Sequence, residues 1–280
     1  MKSFWLVIAG FIPILLMALF MNFVSMNLSY SLIVGVVSLF LVSLWQIRNS
    51  ASLFHKITIT ALPVCAVYSV FVIQHLPGLW VAIPLLVLSA VLGFVFRERK
   101  LQAIAGLSVV ILTSVVALLA FPAIISGNLT QEVNEPSPSF ELKNILSEEE
   151  VSSQALAGKV VVLDFFGTWC APCIAEMADL KQIHASFPGQ DDIEFILVCT
   201  DTGGDTPEKA KQFHTNRNLP FDLAYDYNSE VHKKLGFTGV PALVILDRQG
   251  DIRLKHEGYN QAEDLVNTIT PLLQDYLREQ

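Results

Sequence analysis

The sequence predicts an α-helical membrane domain of about five transmembrane helices, followed by an α/β domain with a mixed central sheet. Three observations lead there. No Asp, Glu, Lys or Arg occurs from Ser3 to Ile47, from Ile57 to Phe96, or from Leu101 to Gln131. The 280-residue chain is 52% hydrophobic with a mean hydropathy of +0.51, more apolar than an ordinary soluble protein and long enough for two units. From Phe140 onward, short β-branched runs alternate with segments of helical spacing.

A helix needs roughly 20 apolar residues to cross the hydrocarbon layer. The first two charge-free runs are each long enough for two crossings and the third for one. Polar residues around Asn22 to Ser31 break the first run, and Gln74, His75, Pro77 and Gly78 break the second, giving spans near 4–23, 30–47, 57–74, 79–96 and 103–125. Lys2 precedes an apolar stretch, as in a secretory signal, but no small-residue cleavage site ends that stretch before the next apolar run. Lys2, the Arg48 to Lys56 loop and the RERK run at 97–100 lie at alternate ends of the spans, so all three can face the cytoplasm together. Five crossings then put everything after Ile125 on the other side. The expected location is a bacterial inner membrane, multi-pass, with the N-terminus cytoplasmic and the α/β domain periplasmic or otherwise extracytoplasmic.

The domain boundaries expected are 1–126 for the membrane domain, 127–139 for a polar linker and 140–280 for the α/β domain. GNLTQEVNEPSPS at 127–139 carries two prolines and no apolar periodicity, which reads as a linker. KVVVLDFF (159–166) and IEFILVCT (193–200) suit buried strands, and the stretch between them has helical spacing at Ile174, Met177, Leu180 and Ile183. TPEKAKQFHTNR (206–217) opens with an N-cap threonine and a first-turn proline, and NSEVHKKLG (228–236) ends at a glycine. ALVILD (242–247) and IRLKHE (252–257) flank the turn RQGD as a hairpin, and a last helix starts near Asn260 with Pro271 inside it.

Charge is divided unevenly. Residues up to Ser126 carry six Lys or Arg and one Glu, a net of +5; the remainder carries 12 basic and 25 acidic residues, a net of −13, which sums to −8. An acidic soluble half excludes nucleic acid as a partner, because phosphate contacts need a basic face. The lipid bilayer is the expected partner of the first half.

Four cysteines occur, Cys65, Cys170, Cys173 and Cys199. Cys170 and Cys173 stand in WCAPC, directly after a buried strand and at the start of a helix, where free N–H groups and the helix dipole favour thiolate. Cys170 is thus the candidate nucleophile and Cys173, facing inward, the candidate resolving thiol. Pro172 fits a first turn, which has no intrahelical use for its missing N–H. A structural zinc site needs four ligands; the six histidines are scattered and no second cysteine pair exists, so neither metal nor cofactor is expected. Asp164 interrupts the apolar strand, where burial raises a carboxyl pKa and suits it to exchange a proton with Cys173; a solvent-facing acid at the strand end is the plainer alternative. Glu176 lies one turn beyond Cys173 and reads equally as a redox-tuning group or a solvated helix face. Pro241 opens an apolar strand, where an ordinary trans proline is the reading from sequence and a special cis turn the alternative.

WCAPC at 169–173, preceded by VVLDFFGT and followed by IAEM, with GVPA before ILDRQG, resembles the thioredoxin fold. More narrowly, the chain from about 136 to 280 resembles the membrane-tethered, extracytoplasmic thiol-disulfide reductases of the TlpA, ResA and cytochrome c maturation group. The resemblance implies a Cys170–Cys173 redox disulfide, a cis Pro241 against it, Val240 offering backbone hydrogen bonds to substrate, and Trp169 and Pro172 on the substrate-facing side. Asp164 matches the buried acid of thioredoxins, and Glu176 the acid of the tethered group. Ala178 stands where that group has proline, and five spans exceed a simple anchor.

The function expected is a membrane-anchored extracytoplasmic thiol-disulfide oxidoreductase that reduces disulfides of partner proteins. A thiol peroxidase is one alternative, although Thr168 lies two residues before Cys170 instead of the three usual in related peroxidases. A membrane redox sensor or assembly factor using the same dithiol is another. Cys65 alone among the spans cannot cycle as a dithiol, so a separate membrane electron donor is expected.

Overall fold

The computed structural model describes residues 2–46, 52–75, 77–96 and 98–279. Arg48 and Arg97, which belong to two of the basic loops, lie outside the described residues. Two compact units divide the chain, Met1–Asn128 with Asn260–Glu263 and Leu129–Tyr259 with Asp264–Gln280.

The first unit is helical: α1 (Lys2–Phe23), α2 (Leu28–Gln46), α3 (Leu53–His75), α4 (Ala82–Val95), α5 (Arg99–Val115) and, after one π-helical turn, α6 (Phe121–Leu129). Three stretches among the described residues are long and apolar enough to cross a membrane, Leu28–Gln46, Leu53–Val70 and Lys100–Leu129, whereas Ile8–Phe23 and Leu79–Val95 are shorter apolar helices. The expected fourth span is shortened because Pro77–Val81 forms a 3-10 turn and α4 starts only at Ala82.

Close packing and internal hydrogen bonds join these apolar helices. Glycines supply the close packing. A Cβ on Gly10 of α1 would lie 2.6 Å from the Ile59 carbonyl oxygen of α3, one on Gly35 of α2 2.5 Å from Met17 Sδ of α1, and one on Gly93 of α4 2.5 Å from Ser43 Cβ of α2. Hydroxyls supply the bonds: Ser89 Oγ donates to the Val36 carbonyl (2.6 Å), Ser29 Oγ to the Ala117 carbonyl (2.6 Å), and Thr60 Oγ1 to Gln46 Oε1 (3.0 Å).

The second unit has one eight-stranded sheet, in the order β1-β8-β7-β4-β5-β6-β2-β3. Its strands are β1 (Thr130–Pro136), β2 (Glu141–Asn144), β3 (Glu150–Ser152), β4 (Val160–Phe166), β5 (Ile193–Thr200), β6 (Asp222–Asp226), β7 (Ala242–Leu246) and β8 (Asp251–Glu257). Parallel β4–β5 and β5–β6 pairs meet antiparallel β4–β7 and β7–β8 pairs, a mixed sheet of the thioredoxin-like kind. Strand β4 is buried throughout, and its alternation splits the core. Val160, Val162 and Phe166 pack with α7 (Ala171–Ala185) and α10 (Leu265–Arg278), while Val161, Leu163 and Phe165 pack on the face of α9 (Glu230–Lys234). Helix α8 (Pro207–Arg217) begins where Thr206 accepts a hydrogen bond from Lys209 N at 3.3 Å.

Two boundaries differ from the sequence reading. Residues 127–139 are not a free linker, since α6 runs through Leu129 and β1 pairs antiparallel with β8 from Thr130↔His256 to Pro136↔Asp251. An edge strand needs only its backbone for pairing, and β1 keeps polar side chains on its largely exposed faces, so no apolar alternation announces it. The last helix starts at Leu265 instead of near Asn260, because Asp264 is its cap, accepting from Asn267 N at 3.3 Å, and it continues through Pro271.

Candidate active site

Strand β4 delivers the chain to the site. Gly167 to Cys170 make a turn closed by Cys170 N donating to the Gly167 carbonyl at 3.1 Å, and α7 begins at Ala171. Cys170 is the helix N-cap, with φ −79° and ψ 105°, and its sulfur accepts from Cys173 N at 3.2 Å. Cys170 and Cys173 form a disulfide with a Cα–Cα distance of 5.3 Å, both almost wholly buried at 2% and 1% exposure. A thiolate released at Cys170 by reduction stands at the positive end of the helix dipole, which stabilises it over the thiol. Pro172 sits in the first turn, at no cost in hydrogen bonding. Trp169 is exposed, at 55%, and so is Ala171.

The facing wall comes from residues some seventy positions later. The Val240–Pro241 peptide bond is cis, and the Val240 carbonyl oxygen lies 3.7 Å from Cys170 Sγ. Glu257 on β8 fixes this loop: its Oε1 accepts from Thr238 N (2.8 Å), Thr238 Oγ1 (2.7 Å) and Gly239 N (2.9 Å). Burial raises the Glu257 pKa, but those three hydrogen bonds outweigh it and hold the carboxyl below its usual value. On the other side of the loop, His232 Nε2–H donates to the Gly239 carbonyl at 2.8 Å, and the ring packs edge-on against Phe165.

Both candidate acids are buried. Asp164 is 3% exposed, on the β4 face that carries Val162 and Phe166 towards Cys173, Met177 and Leu180, which removes its solvent-facing alternative. Its carboxyl borders a void of about 10 Å³ lined by Val162, Leu180, Phe195 and Phe221. Oδ1 has no hydrogen-bond partner, and burial pushes the pKa up to about 7. Glu176 is 0% exposed, so it is no solvated helix face either. Among the described residues, no group of three or more His, Cys, Asp or Glu could hold a metal ion.

Comparison with known proteins bears on this geometry. A profile described as the AhpC/TSA family matches residues 133–255. The thiol-disulfide oxidoreductase ResA of Oceanobacillus iheyensis is 30% identical over 171 residues, 58% of this chain and 86% of that protein. The chain belongs to the ResA-like thiol-disulfide oxidoreductases. The ResA of Bacillus cereus is 26% identical over 164 residues (58% of this chain, 92% of that protein), and the thiol:disulfide interchange protein DsbE of Yersinia pestis is 29% identical over 147 residues (51% and 74%).

In this ResA-like domain the turn after β5 forms a third wall beside the cysteines. Thr202–Gly204 form a 3-10 turn after β5, and Trp169 Nε1 donates to the Thr202 carbonyl at 2.9 Å. The indole lies so close that a Cβ on Gly203, whose φ is +65°, would come within 2.1 Å of Nε1. Beneath it, the buried Asp205 accepts from Thr168 N (2.7 Å) through Oδ2 and from Thr168 Oγ1 (2.5 Å) through Oδ1. The TGGD run was the only signal available in the sequence, and glycines there read as an ordinary turn. Cys199, packed below, lies 3.8 Å from Asp205 Oδ2. Burial, then the Asp205 charge, pushes its thiol pKa far up, which makes it an inert core residue.

Proposed function

We propose that this ResA-like protein is a membrane-anchored, extracytoplasmic reductase of disulfides in partner proteins, acting through Cys170 and Cys173. The observation that carries the reading is the Cys170–Cys173 disulfide at the N-terminus of α7, with Cys170 Sγ 3.7 Å from the Val240 carbonyl of the cis-proline loop. In the reduced protein the Cys170 thiolate attacks one sulfur of a substrate disulfide and expels the other as a thiolate. Cys173, deprotonated, then attacks Cys170 Sγ; the substrate leaves as a dithiol and the Cys170–Cys173 disulfide returns. Two electrons pass to the substrate, and a donor dithiol must replace them.

The remaining residues have roles in that sequence. Asp164, buried with its pKa near 7, accepts the Cys173 proton as the resolving thiolate forms. Glu176, buried one turn past Cys173, tunes the pair. Trp169, Pro172, Val240 and Pro241 bound the place where the substrate lies, with the Val240 main chain offering it hydrogen bonds. Placement outside the cytoplasm is supported by the alternating positions of Lys2, the Arg48–Lys56 loop and the 97–100 run, with five crossings, and bacterial inner membrane is the setting this suits.

The peroxidase alternative is weakened by Thr168, whose hydroxyl is committed to Asp205. In full-length protein, Cys173→Ser should accumulate a mixed disulfide with a reducible substrate and Cys170→Ser should lose turnover. Full disulfide reduction by Cys170→Ser sinks the mechanism. A reporter fused after Ser126 that is active in the cytoplasm sinks the orientation.

A further inference from the structure

The contact between Thr168 and Asp205 joins the turn before Cys170 to a loop thirty-seven residues away. Both carboxylate oxygens of Asp205 accept from that one threonine, Oδ2 from its N–H at 2.7 Å and Oδ1 from its hydroxyl at 2.5 Å, with the Cys199 thiol a longer second donor to Oδ2 at 3.8 Å. The main chain of Asp205 is itself anchored, its carbonyl accepting from Tyr225 Oη at 2.7 Å and its N–H donating to the Thr202 carbonyl at 3.4 Å. Burying a carboxylate is costly, and charge-assisted bonds only offset that cost. An apolar pair would tie two loops together with less penalty. The clamp falls on the residue between Gly167 and Trp169, in the turn that ends at the Cys170 sulfur.

We propose that Asp205 is a positioning residue for thiol-disulfide exchange, its carboxylate acting through Thr168 to fix the turn that presents Trp169 and Cys170 to an incoming disulfide. The inference rests on the reading that Cys170 and Cys173 are the reacting pair. Apart from the clamp, that turn is held by the Cys170 N to Gly167 carbonyl bond and by the Trp169 indole on Thr202. Releasing Thr168 lets the indole and the sulfur shift against the Val240 carbonyl. A small misplacement of reacting groups is enough to slow capture of a substrate.

The test uses the full chain in detergent, with dithiothreitol as the dithiol that re-reduces Cys170–Cys173, insulin as the disulfide substrate, and kcat and KM measured separately after subtracting the rate without protein. Thr168→Val, which removes the hydroxyl donor but keeps the shape, and Asp205→Ala should each lower kcat/KM about tenfold, mainly by raising KM. The double variant should be no worse than Asp205→Ala alone, because the two residues act as one unit. Thr168→Ser should restore wild-type values. A merely structural role would lower kcat by the unfolded fraction at unchanged KM, and the two losses would multiply. Wild-type KM in Thr168→Val, or multiplying losses in the double variant, overturns the proposal. Cys170→Ser run alongside keeps the failures apart: its continued turnover refutes the reacting pair, whereas its inactivity beside a wild-type Thr168→Val refutes Asp205 alone.

Discussion

Asp164 sets a pH dependence that can be worked out at the level of one carboxyl. Its pKa rises from 3.8 to about 7 on burial, so the folded state binds its proton more tightly than the unfolded state does. Its contribution to stability is therefore complete below pH 3.8 and is lost as pH climbs through 7. The shift corresponds to roughly 4 kcal/mol between those limits. Hydrogen exchange of the β4 amides, corrected for intrinsic rates, should report that loss between about pH 4 and about pH 7 in the oxidised protein, and Asp164→Asn should flatten it. An unchanged pH slope in Asp164→Asn would remove Asp164 as its source. Gly203 is tested differently, because an alanine there is strained at φ +65° and its Cβ would meet Trp169 Nε1 at 2.1 Å. The strain costs roughly 1–2 kcal/mol, and the indole must leave its seat. Gly203→Ala should therefore lower kcat/KM on a protein disulfide to the level of Trp169→Ala, with no further loss when the two are combined.

At the level of elements, α8 offers a clean cap. Thr206→Ala removes the acceptor for Lys209 N and should cost about 1 kcal/mol, read as faster exchange in the first turn of α8 alone. Elements of this kind were legible in advance because they carry their own signals. Buried β4 and β5 announce themselves as β-branched runs, α8 by Thr206 and Pro207, and Cys170–Cys173 by spacing after a strand. Features without such signals depend on partners remote in sequence. Strand β1 is polar because it lies on an edge, so only its pairing with β8 reveals it. The Thr168–Asp205 clamp likewise arises from packing between distant segments, for which a linear pattern has no mark, and the same packing decides between the two readings of Glu176 by burying it. Helix packing in the first unit was hidden for the same reason: Gly10, Gly35 and Gly93 look like scattered glycines until each meets a neighbouring helix.

For the whole molecule, the electron supply is the consequence that follows from joining an apolar helical unit to a dithiol domain. Under the proposed function each reduced substrate leaves a Cys170–Cys173 disulfide behind, which must be reduced again before the next round. Passing electrons through the helices would need a pair of thiols able to form and open a disulfide. The helical unit contains Cys65 alone, on α3, and the only other thiol, Cys199, is buried in β5 with its pKa pushed up. An intramolecular relay through one cysteine cannot balance two electrons, so under the proposed function the electrons come from a donor outside this chain. Cys65→Ser in the full chain should accordingly keep its turnover in native membranes, where the donor is present, while purified protein should stop after one round unless a dithiol is added. Loss of steady-state reduction in Cys65→Ser membranes, with Cys170 and Cys173 intact, would instead place Cys65 on the electron path, working between two copies of the chain or with a cysteine of the donor.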